Sequence, residues 1–200
     1  RRAGEVIPEV VRPILSERPE NSVPWVFPVD CPVCGFKLLR PEGESRHRCP
    51  NYDCPRQVRG RIEHFAQRSA MDIEHMGEQR VDLFVTKGLL GDIGDLYHLE
   101  FDRIRELDGF REISVNNIAA AIEASKSRPL SNLIFGLSIP HVGVANGELL
   151  SSAFGHMDHL MEASLEELKS INGLGPTIAA AVHGFMTMPR QREVIEKLRS

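Results

Sequence analysis

From residue 57 to the end of the chain, apolar residues recur three and four positions apart, and strict alternation is nearly absent. That is the pattern of amphipathic helices. It begins around Arg61-Ile62-Glu63-His64-Phe65-Ala66. Two later stretches, Asn116–Ile122 and Ile178–Val182, are alanine-rich and suit close helix packing, and Ser164-Leu165-Glu166-Glu167 has the form of a capping box. Upstream the pattern changes. Residues 1–11, with Val6, Ile7, Val10 and Val11, read as one strand too short to bury a face alone, the remnant of another domain. Residues 12–30 contain Pro13, Pro19, Pro24 and Pro28, which fits an extended linker and neither a helix nor a central strand. Residues 31–56 hold all four cysteines among turn formers. The expected fold is therefore mainly α: a small metal-stapled segment at 31–56, then a compact all-helical domain over 57–200.

Within that domain a unit of about 33 residues repeats four times. The triplets His75-Met76-Gly77, Gly109-Phe110-Arg111, His141-Val142-Gly143 and Gly173-Leu174-Gly175 align. An apolar residue stands two positions before each (Ile73, Leu107, Ile139, Ile171), and another nine positions after its first residue (Phe84, Ile118, Leu150, Val182). One unit reads as helix, tight turn, helix. Glycine permits positive φ and close approach of a ligand, and the apolar middle residue tucks the turn between the helices. Free N–H groups at the start of the second helix, together with its dipole, form a phosphate cradle without side-chain charge. A single Gly-apolar-Gly does no more than end one helix and start another; four copies in register favour phosphate binding. The units are unequal. Gly173-Leu174-Gly175 is complete, His75 and His141 replace a glycine, and Arg111 either obstructs its cradle or reaches a phosphate itself.

The cysteines follow C-x2-C-x14-C-x4-C at Cys31, Cys34, Cys49 and Cys54. Two close pairs joined by a loop suit a closed tetrahedral Zn²⁺ site, structural in kind, that stabilises a segment too small for a core. Two disulfides are the alternative, and they need an oxidising compartment. His47 is a competing ligand by position, and with four thiolates present it is expected to face solvent.

Composition is that of a globular protein, 42% hydrophobic and 26% charged. No apolar run is long enough to span a membrane. The amino terminus has neither an initiator Met nor a signal peptide, and the carboxyl terminus stops within a helical pattern, so a piece of a longer chain is expected. The net charge of −4 argues against binding nucleic acid through bulk charge. Yet residues 31–68 hold eight basic residues against four acidic, a local excess of +4, which leaves −8 on the rest.

Taken together, Arg2–Pro8, Cys-Pro-Val-Cys-Gly at 31–35, Cys-Pro-Asn-Tyr-Asp-Cys-Pro at 49–55, Met71–Glu74 and Ile139–Gly143 closely resemble bacterial NAD-dependent DNA ligases, over essentially all 200 residues. The resemblance implies the end of an OB domain, a four-cysteine zinc finger and four tandem helix-hairpin-helix motifs. It implies an enzyme that adenylylates a lysine from NAD⁺ with Mg²⁺ and joins 5′-phosphate to 3′-hydroxyl at a nick during replication and repair. That lysine lies in a Lys-x-Asp-Gly motif, absent from these residues. Adenylation, most of the OB domain and a BRCT-type domain are thus expected elsewhere, and this part is expected to clamp nicked duplex DNA without catalysing. The implied DNA contacts are Met76, Gly77, Gly109, Phe110, Arg111, Val142, Gly143, Gly173, Leu174 and Gly175. The implied location is cytoplasmic, associated with DNA. Two other functions compete: a stand-alone helix-hairpin-helix adaptor in repair or recombination, and a zinc-stapled scaffold for protein partners, which leaves the repeated glycines unexplained.

Overall fold

The computed structural model describes residues 10–199, and in addition the backbone of residues 2–3 and 7–8. The latter form two two-residue strands, β1 (Arg2–Ala3) and β2 (Ile7–Pro8), paired antiparallel. The rest of the expected OB remnant up to Glu9 lies outside the described residues. The proline-rich segment that follows is exposed, with one 3-10 turn at Leu15–Glu17.

Ten α-helices are found among the described residues. The first, α1 (Pro55–Ala66), starts directly on the last cysteine, because Pro55 at its first position has no N–H to leave unpaired. Then come α2 (Glu78–Thr86), a 3-10 turn at Gly94–His98, α3 (Phe101–Arg105), α4 (Glu112–Ser125) and α5 (Leu130–Gly136). The chain continues through α6 (Val144–Phe154), α7 (Met157–Glu162), α8 (Leu165–Ser170), α9 (Pro176–Thr187) and α10 (Pro189–Lys197). The capping box forms at the start of α8: Ser164 N–H donates to Glu167 Oε2 at 2.8 Å and Glu167 N–H to Ser164 Oγ at 3.2 Å.

Four helix-turn-helix units result, α1–α2, α3–α4, α5–α6 and α8–α9, and they share one core. The residues nine positions after each triplet start, Phe84, Ile118, Leu150 and Val182, are all fully buried. The repeat is therefore a repeat of core anchors, as its periodicity requires. The units pair: Phe110 of the second packs on Phe84 of the first at 5.5 Å, and the turn of the fourth, at Gly173, faces Leu149 of the third. The two pairs meet where α1 packs on α5. There His64 Nε2–H donates to Phe135 O at 2.9 Å, and Asn132 donates to Ser69 O and Ala70 O. Helices approach closely at Gly136, where a Cβ would lie 3.0 Å from Phe65, and at Gly147, where it would lie 2.8 Å from Ser131 O.

The last helix closes the body through a buried carboxylate. Asp92, 2% exposed, accepts from Lys197 Nζ at 2.7 Å and Arg190 Nη2 at 3.1 Å. Its other oxygen accepts from Gly94 N–H at 2.9 Å. Asp95 also accepts from Lys197. Burial pushes the Asp95 carboxyl up, but Lys197 and the Gly91 N–H outweigh it and hold it below its ordinary value.

Candidate nucleic-acid interface and zinc centre

The four cysteine sulfurs lie within 4.8 Å of one another, with Cys34 Sγ and Cys49 Sγ 3.4 Å apart. A tetrahedral ion with Zn–S near 2.3 Å needs sulfurs about 3.8 Å apart, so the cluster fits one zinc with small adjustments. Each pair is carried on a tight turn. Cys31 N–H donates to Phe36 O at 2.7 Å and Gly35 N–H to Cys31 O at 2.9 Å, with Gly35 at φ +73°. The Phe36 N–H also hydrogen-bonds the Cys34 sulfur and is the main reason its pKa falls to about 6, while burial pushes the neighbouring Cys49 thiol up to about 12, so the two sulfurs titrate as a pair. Cys54 is the N-cap of α1, where the helix dipole favours a thiolate. The cysteines form a closed structural zinc site with no position for substrate.

The loop between Cys49 and Cys54 ties the finger to the helical body. Arg61 lies over the Tyr52 ring, 3.6 Å from its centroid, and Arg190 spans Asp53 and Asp92. One expectation is corrected here. His47 does not face solvent: it stacks on Phe27 with ring centroids 3.6 Å apart, and Trp25 meets Phe27 edge-on. Phe27 thus joins the proline-rich segment to the finger through this stack, while Trp25 stays exposed.

The four triplets adopt one backbone. The first residue is left-handed in every unit: His75 at φ +66°, Gly109 at +85°, His141 at +67° and Gly173 at +90°. The middle residue turns inward, with Met76, Val142 and Leu174 buried and Phe110 half-buried. Only the main chain of these four expected contacts is left to a ligand. In three units the middle N–H closes the turn onto the apolar residue three positions earlier: Phe110 to Leu107 O, Val142 to Ile139 O and Leu174 to Ile171 O, each at 3.1 Å. The third residue caps the second helix with negative φ: Gly77 at −75°, Arg111 at −124°, Gly143 at −92° and Gly175 at −66°.

Glycine thus has two different reasons within one triplet. At the first position the left-handed φ favours it. At the third position any residue satisfies φ, and a Cβ added to Gly77, Gly143 or Gly175 meets no atom within 4 Å. Neither backbone nor packing requires these three glycines, and Ser, Thr, Asp or Asn would cap the helix at least as well. What glycine offers there is an unobstructed N–H for a group from outside.

The cradles differ in what already occupies them. In the second hairpin Ser114 Oγ accepts the Arg111 N–H at 3.0 Å and donates to Arg111 O at 2.8 Å, and Glu112, first in α4, pairs with Arg105. In the first hairpin Glu78 stands at the same place. The third and fourth, opening with Val144-Ala145-Asn146 and Pro176-Thr177, have no acidic residue in the first turn. An anion meets the least competition at these two.

Residues 30–55 match the family profile described as the NAD-dependent DNA ligase C4 zinc finger domain, and residues 132–195, the third and fourth hairpins, match the helix-hairpin-helix motif. The whole chain aligns with proteins named DNA ligase. It is 45% identical over 201 residues to that of Chloroflexus aurantiacus, 46% over 202 residues to that of Symbiobacterium thermophilum, and 44% over 199 residues to that of Thermomicrobium roseum. It spans 28%, 30% and 29% of their lengths, less than a third of each. No helix among the described residues is long and apolar enough to cross a membrane.

Proposed function

Since this chain belongs to the NAD-dependent DNA ligase family, we propose that it is the part of such an enzyme that holds duplex DNA at a nick. The third and fourth hairpins make the central contacts, through N–H groups at and just after Gly143 and Gly175. The first and second hairpins contribute less, because Glu78 stands in the first turn beside one and Ser114 already binds the Arg111 N–H of the other. The zinc finger fixes the hairpin body to the preceding segment. The adenylation chemistry, with NAD⁺ and Mg²⁺, belongs to other domains of the enzyme, and the whole protein works on DNA in the cytoplasm. The observation that carries this reading is the pair of N-cap glycines, Gly143 and Gly175, which nothing inside the fold demands.

Contacts to phosphate carry no base information, so affinity should be similar for nicked duplexes of different sequence. It should fall with salt, because neutralised phosphates release counterions. The slope should be shallow, since dipoles make the central contacts. Titration of labelled nicked and intact duplexes of three sequences at two salt concentrations tests this. Failure to bind, or a strong preference for one sequence, overturns it.

A further inference from the structure

Two histidines occupy a backbone position built for glycine. His75 and His141 are left-handed, at φ +66° and +67°, a region that side chains enter at a cost. The equivalent residues of the other two units are Gly109 and Gly173. The correspondence goes further. The residue three positions earlier is also left-handed in these two units alone, Asp72 at +54° and Ser138 at +58°. In both, a side chain five residues on donates to the histidine carbonyl: Arg80 to His75 O at 2.9 Å and Asn146 to His141 O at 3.2 Å. The fourfold repeat is thus a doubled pair, and the histidine recurs with the pair. Both residues are exposed beside an exposed N-cap glycine, and among the described residues neither ring meets a hydrogen-bond or ion-pair partner.

A side chain that recurs with the pair in a left-handed position, exposed and without a hydrogen-bond or ion-pair partner among the described residues, is available to a group from outside. Resting on the proposed DNA-holding role, we infer that His75 and His141 donate imidazole hydrogen bonds to phosphate oxygens of the strand that their hairpins approach. The odd hairpins then grip with main chain and side chain together, and the even hairpins with main chain alone. His141 contributes more, because Glu78 opposes phosphate beside His75.

Glycine at these positions separates the fold from the contact. In the zinc-loaded chain, His141→Gly and the double variant with His75→Gly should melt at the same or a higher temperature than wild type. The double variant should bind nicked duplex roughly tenfold more weakly, or worse, as charge-assisted hydrogen bonds are lost. His141→Asn should recover part of the loss, since Asn tolerates the left-handed region and keeps a donor. Gly143→Val provides the reference. If wild type binds, Gly143→Val weakens binding, and the stable glycine double variant binds like wild type, the histidine contact is wrong and the hairpin reading stands. If wild type does not bind at all, both fall.

Discussion

Consider a chain in which Gly143 and Gly175 are both replaced by valine. Each sits at an N-cap with negative φ, and the added side chain starts from a Cβ with no atom within 4 Å. Valine is a poorer N-cap than glycine, which costs about 1 kcal/mol per site. The unfolded chain loses freedom on the same change, offsetting about 0.4–1 kcal/mol of that cost. The net effect is close to zero, and the melting temperature should move by no more than about 4 °C. Binding responds differently. Each cradle loses an N–H contact to a charged phosphate, about 1.5–3 kcal/mol, so one substitution costs roughly tenfold or more in affinity and two cost about a hundredfold or more. Fluorescence anisotropy on nicked duplex, with circular dichroism and bound zinc measured on the same sample, reads both quantities. Gly173 cannot serve in this test: at φ +90° a β-branched residue strains the turn itself, and lost binding would then report lost structure. A folded, zinc-loaded double variant that binds DNA like wild type would refute the argument from the N-cap glycines.

The purified chain should carry one zinc, and chelation should disorder residues 31–54 while most helicity survives, because the helical core excludes the finger; elemental analysis and far-ultraviolet circular dichroism check both. Asp92→Ala should cost about 2–3 kcal/mol, at the lower end for a broken buried pair because Arg190 and Lys197 stay partly in water, and a thermal melt should fall by about 5–10 °C. Asp95 is held below its unfolded value of 3.8, so its contribution is present above pH 3.8 and lost as pH falls through the lower folded value; Asp95→Asn should flatten the acid limb of the stability profile in that window. Incubation with NAD⁺ should leave Lys37, Lys87, Lys126, Lys169 and Lys197 free of AMP, as none lies in a Lys-x-Asp-Gly setting, and a single adenylyl mass shift would overturn that.

The sequence revealed what local spacing encodes. The cysteine pairs, the Ser164–Glu167 box and the register of Phe84, Ile118, Leu150 and Val182 are all fixed by residues close in the chain or by a regular period. What escaped it depends on distance or on dihedral angle. Asp92 and its partners are about a hundred residues apart, so no window contains both. His47 looked like a loop residue because Phe27, its stacking partner, stands in a proline-rich segment that reads as linker. The triplets misled in a more instructive way. Reading Gly-apolar-Gly as one signal gave both glycines the same purpose and counted His75 and His141 as defects. The backbone separates them: the first position is about φ and accepts histidine under strain, whereas the third is about empty space. Arg111 departs at the third position, and Ser114 fills the resulting cradle from within.

That separation also answers the objection raised by the acidic net charge. A phosphate near a helix start feels the first-turn side chains more strongly than the summed charge of a distant surface, because screening reduces exposed charges beyond about 10 Å. A carboxylate about 6 Å from a phosphate costs roughly 1–3 kcal/mol between water-like and surface dielectric, comparable to the N–H contact it opposes. Glu78 and Glu112 place that cost on the first two hairpins, and the third and fourth lack it. The chain can therefore carry −4 overall and still present two anion sites, provided its acids lie elsewhere. It follows that charge reversal should be local in effect. Ala145→Glu, in the first turn of α6, should weaken DNA binding about tenfold, whereas Glu148→Lys one turn further on should change it far less, although it shifts the net charge twice as much. Opposite effects, with the larger one from Glu148→Lys, would mean that bulk charge governs binding after all, and that the hairpin cradles do not.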